Sequence, residues 1–320
     1  MTNNFKSIII EVPHRISGFF EIVDKIGGVK IQSPEKIGSR GAGFNLSAFG
    51  RTRITLENEK PNEGNECDIW INGKKYNEKA ETSYFIFNSI EKYISNPIKI
   101  IISHSFDLPV GCGYGASGAG ALGTIIGLDS LLKLRLSKKE MGRIAHISEV
   151  INKTGLGTVC GQLCGGLCIL KEPGYPCRCE RIIIPKGLRV ICGSFGMIHT
   201  KAILNSETLN TRIKEAGRKA LKKLKTNKNI LTFMQASIEF VKDTDILTLL
   251  NLAKVSEIMN NLNKLDIIGA SMNQLGRSVF AICKIKDVKK VIEILETYKP
   301  EIKIFNLAFN ENDPIVFKNQ

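Results

Sequence analysis

A glycine-dense segment between an apolar strand and a helix constrains the fold of this chain more than any other feature. Residues 108–123 read LPVGCGYGASGAGALG, and a small-residue helix is predicted to begin at Ser117. Gly111, Gly113 and Gly115 permit positive φ and a close approach of backbone amides to a ligand, while the helix N-terminus adds unpaired N–H donors. The segment therefore predicts a phosphate-binding loop. The alternative is a turn that only packs a helix against a sheet.

The loop matches neither of the two common nucleotide-binding signatures. A P-loop requires Lys followed by Ser or Thr after its last glycine, whereas the first lysine downstream is Lys133, a whole helix away. A dinucleotide fingerprint requires an acidic residue at a strand end, whereas Asp129 falls inside the predicted helix. What remains is the pattern Pro-x-x-x-Gly-x-Gly-x-Ser-x-Ala, which runs from Pro109 to Ala119.

This pattern resembles the ATP-binding motif of the GHMP kinases, the family of galactokinase, homoserine kinase and mevalonate kinase. Residues 12–21 (VPHRISGFFE) and 268–276 (IGASMNQLG) resemble the first and third motifs of that family. The first motif lines the acceptor site, and the third closes over it. Together with GSRGAG at 38–43, these segments are most similar to the archaeal pantoate kinase branch, and the resemblance extends from about Pro13 to Phe280.

The resemblance implies an α+β fold with two lobes. The N-terminal ATP-binding lobe, expected over 1–186, would resemble ribosomal protein S5 domain 2, and the C-terminal lobe, expected over 187–320, would be ferredoxin-like. The activity implied is phosphorylation of the 4-hydroxyl of pantoate by ATP and Mg²⁺ in archaeal coenzyme A biosynthesis. Two alternatives stay open: a kinase for a homoserine- or mevalonate-like alcohol, and a catalytically silent nucleotide-binding paralogue.

The resemblance also assigns roles to residues. Those expected to bind ATP are Pro109, Gly111, Cys112, Gly113, Tyr114, Gly115, Ala116, Ser117 and Gly118. Those expected to bind the acceptor are Arg15, Ser17, Ser39, Arg40, Ser271 and Met272, because an arginine can hold a carboxylate through two parallel hydrogen bonds. Ser117 and Glu149 are expected to bind Mg²⁺, which prefers oxygen ligands. The alternative for Glu149 is a solvent-facing helical residue.

The chain departs from its presumed relatives at one catalytic position. Many family members carry an aspartate that acts as base or orients the acceptor, and pantoate kinases commonly have it nine residues after the metal-binding glutamate. Here that residue is Thr158, which cannot accept a proton at neutral pH. Phosphoryl transfer depends mainly on positioning and charge stabilisation, so the substitution can be tolerated. Ser117, Glu149 and Thr158 form the predicted catalytic set.

The charge balance favours anionic ligands. The formal net charge is +14, and a basic cluster lies at 214–228. Apolar residues recur within that cluster at helical spacing, which indicates an amphipathic helix with a solvated face, and no nucleic-acid-binding signature accompanies it. The expected partners are therefore ATP and pantoate, without nucleic acid or membrane. The start of the chain lacks the apolar core of a signal peptide, so a cytoplasmic protein is expected. The oligomeric state stays open, with a homodimer as one candidate.

The chain has nine cysteines, for which reduced thiols are expected in the absence of a secretion signal. Cys160, Cys164 and Cys168 are four residues apart, a spacing that does not match a zinc ribbon. Buried, packed cysteines are therefore favoured over a metal site. His14 and His104 are likewise expected to be packed or hydrogen-bonded structural residues.

Hydrophobic periodicity predicts elements along most of the chain. The predicted strands are at 5–11, 42–49, 51–57, 68–74, 98–106, 166–171, 178–185, 188–193, 278–284 and 301–309. The predicted helices are at 78–94, 117–132, 137–152 and 287–298, with most of 206–263 also helical. Ser137 with Glu140 predicts a capping box, Asn72-Gly73 predicts a turn, and a glycine-rich loop is expected after Gly155.

Overall fold

Two long antiparallel strands run through the centre of the fold. The structure, a computed structural model, describes residues 6–57, 61, 63–198 and 207–318. The strands in this part of the chain are β1 (Lys6–Val23), β2 (Lys25–Ile26), β3 (Val29–Lys30), β4 (Gly38–Leu56), β5 (Glu66–Ile71), β6 (Lys74–Lys75), β7 (Lys99–Phe106), β8 (Leu167–Leu170), β9 (Cys179–Ile182), β10 (Leu188–Ser194), β11 (Gly269–Met272), β12 (Ser278–Lys284), β13 (Lys303–Leu307) and β14 (Ile315–Lys318). The helices are α1 (Glu81–Ile90), α2 (Ala116–Leu132), α3 (Lys138–Ile151), α4 (Thr158–Cys164), α5 (Glu207–Thr226), α6 (Ile230–Thr244), α7 (Ile246–Leu249), α8 (Ala253–Leu262) and α9 (Val288–Glu296).

Strands β1 and β4 organise the larger of the two main sheets. Its order is β14-β1-β4-β7-β5-β6, with β8 pairing with β4 and β9 with β8. All of these pairs are antiparallel except β5 and β7. Bulges interrupt the β1–β4 register between Pro13 and Arg15 and between Ser17 and Phe19. Because a bulge re-aims the side chains that follow it, these two irregularities decide which residues of the first motif face the site.

Helix α2 packs against the first half of β1 and the second half of β4 through small residues. A side chain added at Gly123 would lie 2.2 Å from Thr52 Oγ1, and one at Gly127 would lie 2.5 Å from Ile54 Cγ1. The glycines therefore let the helix approach the sheet closely. This packing fixes the N-terminus of α2 at the end of the loop that follows β7.

A second core joins the larger sheet to the smaller one, whose order is β11-β12-β10-β13. Phe44 of β4 lies at its centre, with ring contacts to Phe233 of α6, Phe280 of β12 and Phe309 at centroid distances of 5.9, 5.5 and 4.8 Å. Helix α5 also packs on the second half of β1, where Gly217 faces the Phe20 carbonyl. Aromatic burial thus joins the two sheets beside the site.

The α+β class is confirmed, and several elements agree with the sequence prediction. The capping box forms, because the Glu140 N–H donates to Ser137 Oγ and the Glu140 carboxylate accepts from the Ser137 N–H. The β5–β6 turn occurs at Asn72-Gly73 with both residues at positive φ. Two predictions were wrong in extent: the strands predicted at 42–49 and 51–57 are one strand, and β1 continues through the first motif. The loop expected after Gly155 contains helix α4.

The predicted lobe boundary near Lys186 separates most of the two sheets. The C-terminal strand β14 crosses it, because it returns to pair with β1 along residues 8–11. The division of the chain into lobes at 1–186 and 187–320 therefore stays a proposal. Strand β14 does not follow it, because β14 belongs to the second range but pairs with a strand of the first. In the part of the chain described, no helix is both long and apolar enough to cross a membrane.

The expectation of fully reduced cysteines was wrong for four of them. Helix α4 presents Cys160 and Cys164 one turn apart, and they form disulfides with Cys177 and Cys179 across Cα distances of 5.3 and 6.6 Å. Spacing along the sequence could not predict this, because the partners come from the connection between β8 and β9 and from the first residue of β9. Cys168 is a buried free thiol, as expected. Among the described residues, no group of three or more His, Cys, Asp or Glu side chains is arranged to hold a metal ion.

Candidate active site

The glycine-dense loop lines a cleft of about 350 Å³. The opposite walls come from the second half of β1, from the first half of β4 and from the segment that joins α3 to α4. The lining residues are Arg15, Ser17, Phe19, Phe20, Ser39, Gly41, Ala42, Val110, Gly111, Gly113, Tyr114, Gly115, Ala116, Ser117, Lys153, Thr154, Gly155, Leu156, Gly157, Thr158, Leu170, Ile198, Gln274 and Leu275.

The loop has the backbone geometry that its glycines predict. Gly111, Gly113 and Gly115 have φ of +75°, +85° and +67°. Helix α2 begins at the next residue, Ala116, and no side chain caps its N-terminus. The first amides of the helix are therefore available to an anion in the cleft, which the positive end of the helix dipole also favours.

The third motif supports the loop from behind. The Cys112 carbonyl accepts hydrogen bonds from Asn273 Nδ2 at 3.2 Å and from Ser278 Oγ at 2.7 Å. A side chain at Gly276 would lie 2.0 Å from that same carbonyl oxygen, so only glycine permits this approach. The C-terminal part of the chain thereby helps to fix the shape of the phosphate loop.

Ser117 and Glu149 form a hydrogen-bonded pair of oxygen-bearing side chains at the start of α2, with Glu149 buried and Ser117 half-buried. Ser117 Oγ donates to Glu149 Oε1 at 2.5 Å, and Thr154 Oγ1 donates to the same oxygen at 3.3 Å. Burial raises the pKa of Glu149 to about 7, although the nearby Ser117, Thr154 and Thr158 hydroxyls lower it. Glu149 Oε2 is buried without a hydrogen-bond partner among the described residues. This donor set fits Mg²⁺, which is typically held by one or two protein oxygens together with phosphates.

Gly155 is required by this arrangement. A side chain there would lie 2.3 Å from Glu149 Oε2. The chain therefore passes directly over the carboxylate, and Glu149 is an enclosed residue with 1% of its surface exposed, not the solvent-facing helical glutamate of the alternative interpretation.

Thr158 is the first residue of α4 and packs against the start of α2. A side chain added at Gly115 or at Gly118 would lie 2.8 Å from Thr158 Cγ2, which is too close. Glycine at both positions therefore leaves room for the Thr158 side chain. One turn on, Gln162 Nε2 donates to the carbonyls of Gly115 and Pro13, each at 3.0 Å. Helix α4 thus contacts the end of the phosphate loop, and sequence reasoning, which treated this segment as a loop, missed Gln162.

The wall of the cleft that faces β1 and β4 combines hydroxyls with apolar side chains. Ser17 and Ser39 line it beside Phe19, Leu156 and Leu170. The Ser39 N–H donates to the Leu156 carbonyl at 3.1 Å, which ties β4 to the segment before α4. A small molecule with both hydroxyl and apolar groups matches this surface.

The two arginines expected to grip a carboxylate are engaged with the protein. Arg15 lines the cleft, but its guanidinium is buried and donates to Asn45 Oδ1 and to the Gly161 carbonyl, both at 3.2 Å. Arg40 makes a two-pronged ion pair with Glu21 at 3.0 and 2.8 Å and does not line the cleft. Their roles in substrate binding stay predictions.

Other predicted residues lie behind the lining. Ser271 and Met272 are fully buried in β11, and the third motif instead presents Gln274 and Leu275 to the cleft. Pro109, Cys112 and Gly118 belong to the loop and helix without lining the cleft. Lys153, which sequence reasoning missed, lines it four residues after Glu149. Its position four residues after Glu149, a predicted metal ligand, is the sequence signal that could have identified it.

Comparisons with known proteins agree with this geometry. Residues 81–166 match the GHMP kinases N terminal domain. The chain is 33% identical to the pantoate kinase of Methanocaldococcus jannaschii over 89% of its own length and 96% of that protein. It is 29% identical to the pantoate kinase of Thermococcus kodakarensis, covering 89% of this chain and 90% of that one.

Solved structures extend the likeness to the fold. A phosphotransferase related to the CoA biosynthesis pathway superposes with a TM-score of 0.84 at 26% identity, over 98% of this chain and 99% of that chain. A homoserine kinase from Cytophaga hutchinsonii shares the fold at a TM-score of 0.70 and 16% identity, over 98% of both chains. Because a relative with 33% identity is matched across almost its whole length, the chain belongs to the GHMP kinase family.

Proposed function

We propose that this protein is a pantoate kinase that transfers the γ-phosphoryl group of ATP to the 4-hydroxyl of pantoate. The observation that carries the proposal is one cleft in which the phosphate loop and Ser117, whose hydroxyl is bonded to the enclosed Glu149, lie with the serine hydroxyls of Ser17 and Ser39. The relatives matched over nearly their whole length are pantoate kinases. This favours pantoate over a homoserine- or mevalonate-like acceptor.

The cleft offers complementary surfaces to both substrates. The amides at the start of α2 would bind phosphate oxygens of ATP. Ser117 and Glu149 would hold a Mg²⁺ ion that neutralises the charge of the phosphates. Pantoate carries a carboxylate, two hydroxyls and a geminal dimethyl group. Phe19, Leu156 and Leu170 would contact the methyl groups, and Ser17 and Ser39 would bind polar atoms of the acceptor.

Thr158 limits the roles that side chains of this site can take in catalysis. It can orient the acceptor hydroxyl through one hydrogen bond but cannot remove its proton. In a loose transition state the hydroxyl proton need not leave before the phosphoryl group moves, so positioning and charge stabilisation provide most of the catalysis. The enclosed Glu149 then contributes as a metal ligand and not as the base.

An acceptor panel tests the proposal. ADP release would be measured with Mg-ATP and pantoate, homoserine or mevalonate, and without an acceptor. We expect pantoate-dependent turnover, with kcat/KM at least about 100-fold above that of the other alcohols, because mismatched polar groups cost several kcal/mol in a closed site. Turnover that prefers homoserine or mevalonate would reassign the acceptor. Absence of turnover with any acceptor would contradict the assignment as a kinase.

A further inference from the structure

His14 connects the two ends of the phosphate loop. Its Nδ1 lies 2.9 Å from the carbonyl oxygen of Tyr114, at the end of the loop, and its Nε2 lies 3.4 Å from the amide nitrogen of Leu108, at the beginning. A carbonyl can only accept a hydrogen bond and an amide N–H can only donate one. The two contacts therefore require the same neutral tautomer, with the proton on Nδ1 and the lone pair on Nε2.

The surroundings of the ring keep it in that state. His14 is completely buried, and its ring lies 5.9 Å from the ring of Phe106, the last residue of β7. Burial lowers the pKa of His14 to about 4, so the imidazole is neutral across the physiological range. A neutral ring with one donor and one acceptor matches the two partners that the loop presents.

We infer that His14 is a positioning residue for ATP, which holds the phosphate loop in its binding conformation by joining Leu108 to Tyr114. The inference rests on the proposed ATP-dependent function. His14 does not line the cleft, so it acts through the loop and not on the nucleotide. Two further bonds act at the same end of the loop: the Arg15 N–H donates to the Tyr114 carbonyl at 3.0 Å, and Gln162 holds the next carbonyl.

Among these contacts, the one to Leu108 gives His14 its particular role. The bonds from Arg15 and Gln162 fix only the end of the loop, next to Gly115. The His14 side chain also reaches the residue before Pro109, so it sets the separation between the strand that enters the loop and the helix that leaves it. Losing the ring would let the loop open and misalign the amides that face the phosphates.

The fold provides a matched control in His104. This histidine is also buried and neutral. Its ring stacks on the ring of Phe106 with the centroids 5.8 Å apart, and its two nitrogens make side-chain hydrogen bonds to Thr52 and Ser83 at 2.9 Å each. Both partners lie outside the loop. Replacing His104 therefore removes a comparable buried network without changing the connection between Leu108 and Tyr114.

The test measures binding of a non-hydrolysable ATP analogue with Mg²⁺ by calorimetry, together with KM for pantoate. The variants are His14→Ala, His14→Asn and His104→Asn, with thermal unfolding to establish which of them fold. We expect His14→Ala to weaken nucleotide binding at least about tenfold, the usual effect of losing a buried hydrogen bond, while KM for pantoate changes less than about twofold. His14→Asn, which keeps only the donor toward Tyr114, should fall between the wild type and His14→Ala. His104→Asn should bind nucleotide like the wild type.

Other outcomes would overturn the positioning role of His14 or the proposed function. Wild-type affinity in a folded His14→Ala, or an equal loss in His104→Asn, would overturn the positioning role. If His14→Ala does not fold, wild-type affinity in His14→Asn would overturn it instead. A wild-type protein that binds no nucleotide would overturn the proposed function and this inference with it, whereas normal wild-type binding separates the two.

Discussion

Glu149 lies in an environment that disfavours the charged form of its side chain. The carboxyl group is enclosed beneath Gly155, and one of its oxygens has no hydrogen-bond partner among the described residues. Without a cation, burial disfavours its charged form and raises its pKa from 4.5 to about 7. A metal ion bound with the nucleotide would reverse this cost. The residue is therefore suited to a site that is completed by its substrate.

This environment predicts a pH dependence of stability in the absence of Mg²⁺ and nucleotide. The unfolded chain ionises Glu149 near pH 4.5, whereas the folded protein keeps it protonated up to about pH 7. The unfolded state therefore binds fewer protons between these values, and the free energy of unfolding falls as the pH rises through them. Glu149→Gln removes this contribution. Denaturant unfolding in EDTA would measure the free energy of unfolding of both proteins. Between pH 4 and pH 8 the value for the wild type should fall relative to that of the variant by up to about 3 kcal/mol. A difference independent of pH would contradict the burial argument.

Ser117 is expected to affect the rate of transfer more than nucleotide binding. In Ser117→Ala the loop amides remain, but the metal loses an oxygen ligand and Glu149 loses its closest donor. We expect kcat to fall on the order of 10² or more, with nucleotide affinity changed much less. Steady-state kinetics and calorimetry on the same preparation would separate the two effects. Near-normal kcat would remove Ser117 from the catalytic set.

Thr158 and Glu149 should differ strongly in their importance. Thr158→Val keeps the shape that packs against Gly115 and Gly118 and loses only one hydrogen bond, so we expect a loss of about fivefold in kcat. Glu149→Gln should be far more damaging, because it removes charge that balances the metal. The pH–rate profiles of both variants, with Thr158→Asp for comparison, would test this ranking. Strong activity in Thr158→Asp beside an inactive wild type would support the silent paralogue.

At the scale of elements, α4 connects several features of the site. It begins with Thr158, its Gln162 holds the end of the phosphate loop, and it carries Cys160 and Cys164 one turn apart. The two disulfides attach α4 to Cys177, in the connection between β8 and β9, and to Cys179 at the start of β9. Closing loops of this length restricts the unfolded chain and stabilises the folded one by roughly 3 kcal/mol for each bond.

The disulfides predict a specific thiol count. Five of the nine cysteines are free: Cys67, Cys112, Cys168, Cys192 and Cys283. Protein unfolded in denaturant without reductant should therefore react with five equivalents of a thiol reagent, and reduced protein with nine. Reduction should also lower Tm. Nine reactive thiols before reduction would show that the pairs do not form in the isolated protein.

The sequence predicted best those elements whose signals are local. The capping box at Ser137 and the turn at Asn72-Gly73 each depend on a few adjacent residues, and the phosphate loop depends on its own glycines. Helix α4 escaped prediction because its seven residues include few strong helix formers, and its stability comes from packing and disulfides. The extent of β1 was missed because two bulges break its alternation.

For the site, prediction from sequence reached the loop, Ser117 and Thr158, which line one cleft, and Glu149, which lies enclosed behind Ser117. It could not separate lining residues from supporting ones in the third motif, where Gln274 and Leu275 face the cleft while Ser271 and Met272 are buried. That difference depends on how β11 packs against the core. The partners of Arg15 and Arg40 were equally hidden, because they come from distant segments.

At the scale of the whole molecule, the site draws on both ends of the chain. The first motif lies on β1, the phosphate loop follows β7, and the third motif comprises β11 and the turn after it, with β14 returning to pair with β1. Much of the basic cluster on α5 is paired with acidic residues, among them Lys214 with Asp24 and Lys219 with Asp243. The excess positive charge therefore gives no specific argument for nucleic acid and is compatible with anionic substrates.

The central claim is that the cleft directs the γ-phosphoryl group of ATP to the 4-hydroxyl of pantoate, and phosphorus NMR of the reaction mixture tests it most directly. The carbon that bears the 4-hydroxyl carries two hydrogens, whereas the carbon that bears the other hydroxyl carries one. We therefore expect a new phosphomonoester signal split into a triplet, which grows with ADP and is absent with Glu149→Gln over the same time. A doublet would place the phosphoryl group on the wrong hydroxyl, and absence of any new signal beside intact ATP would contradict the proposed activity.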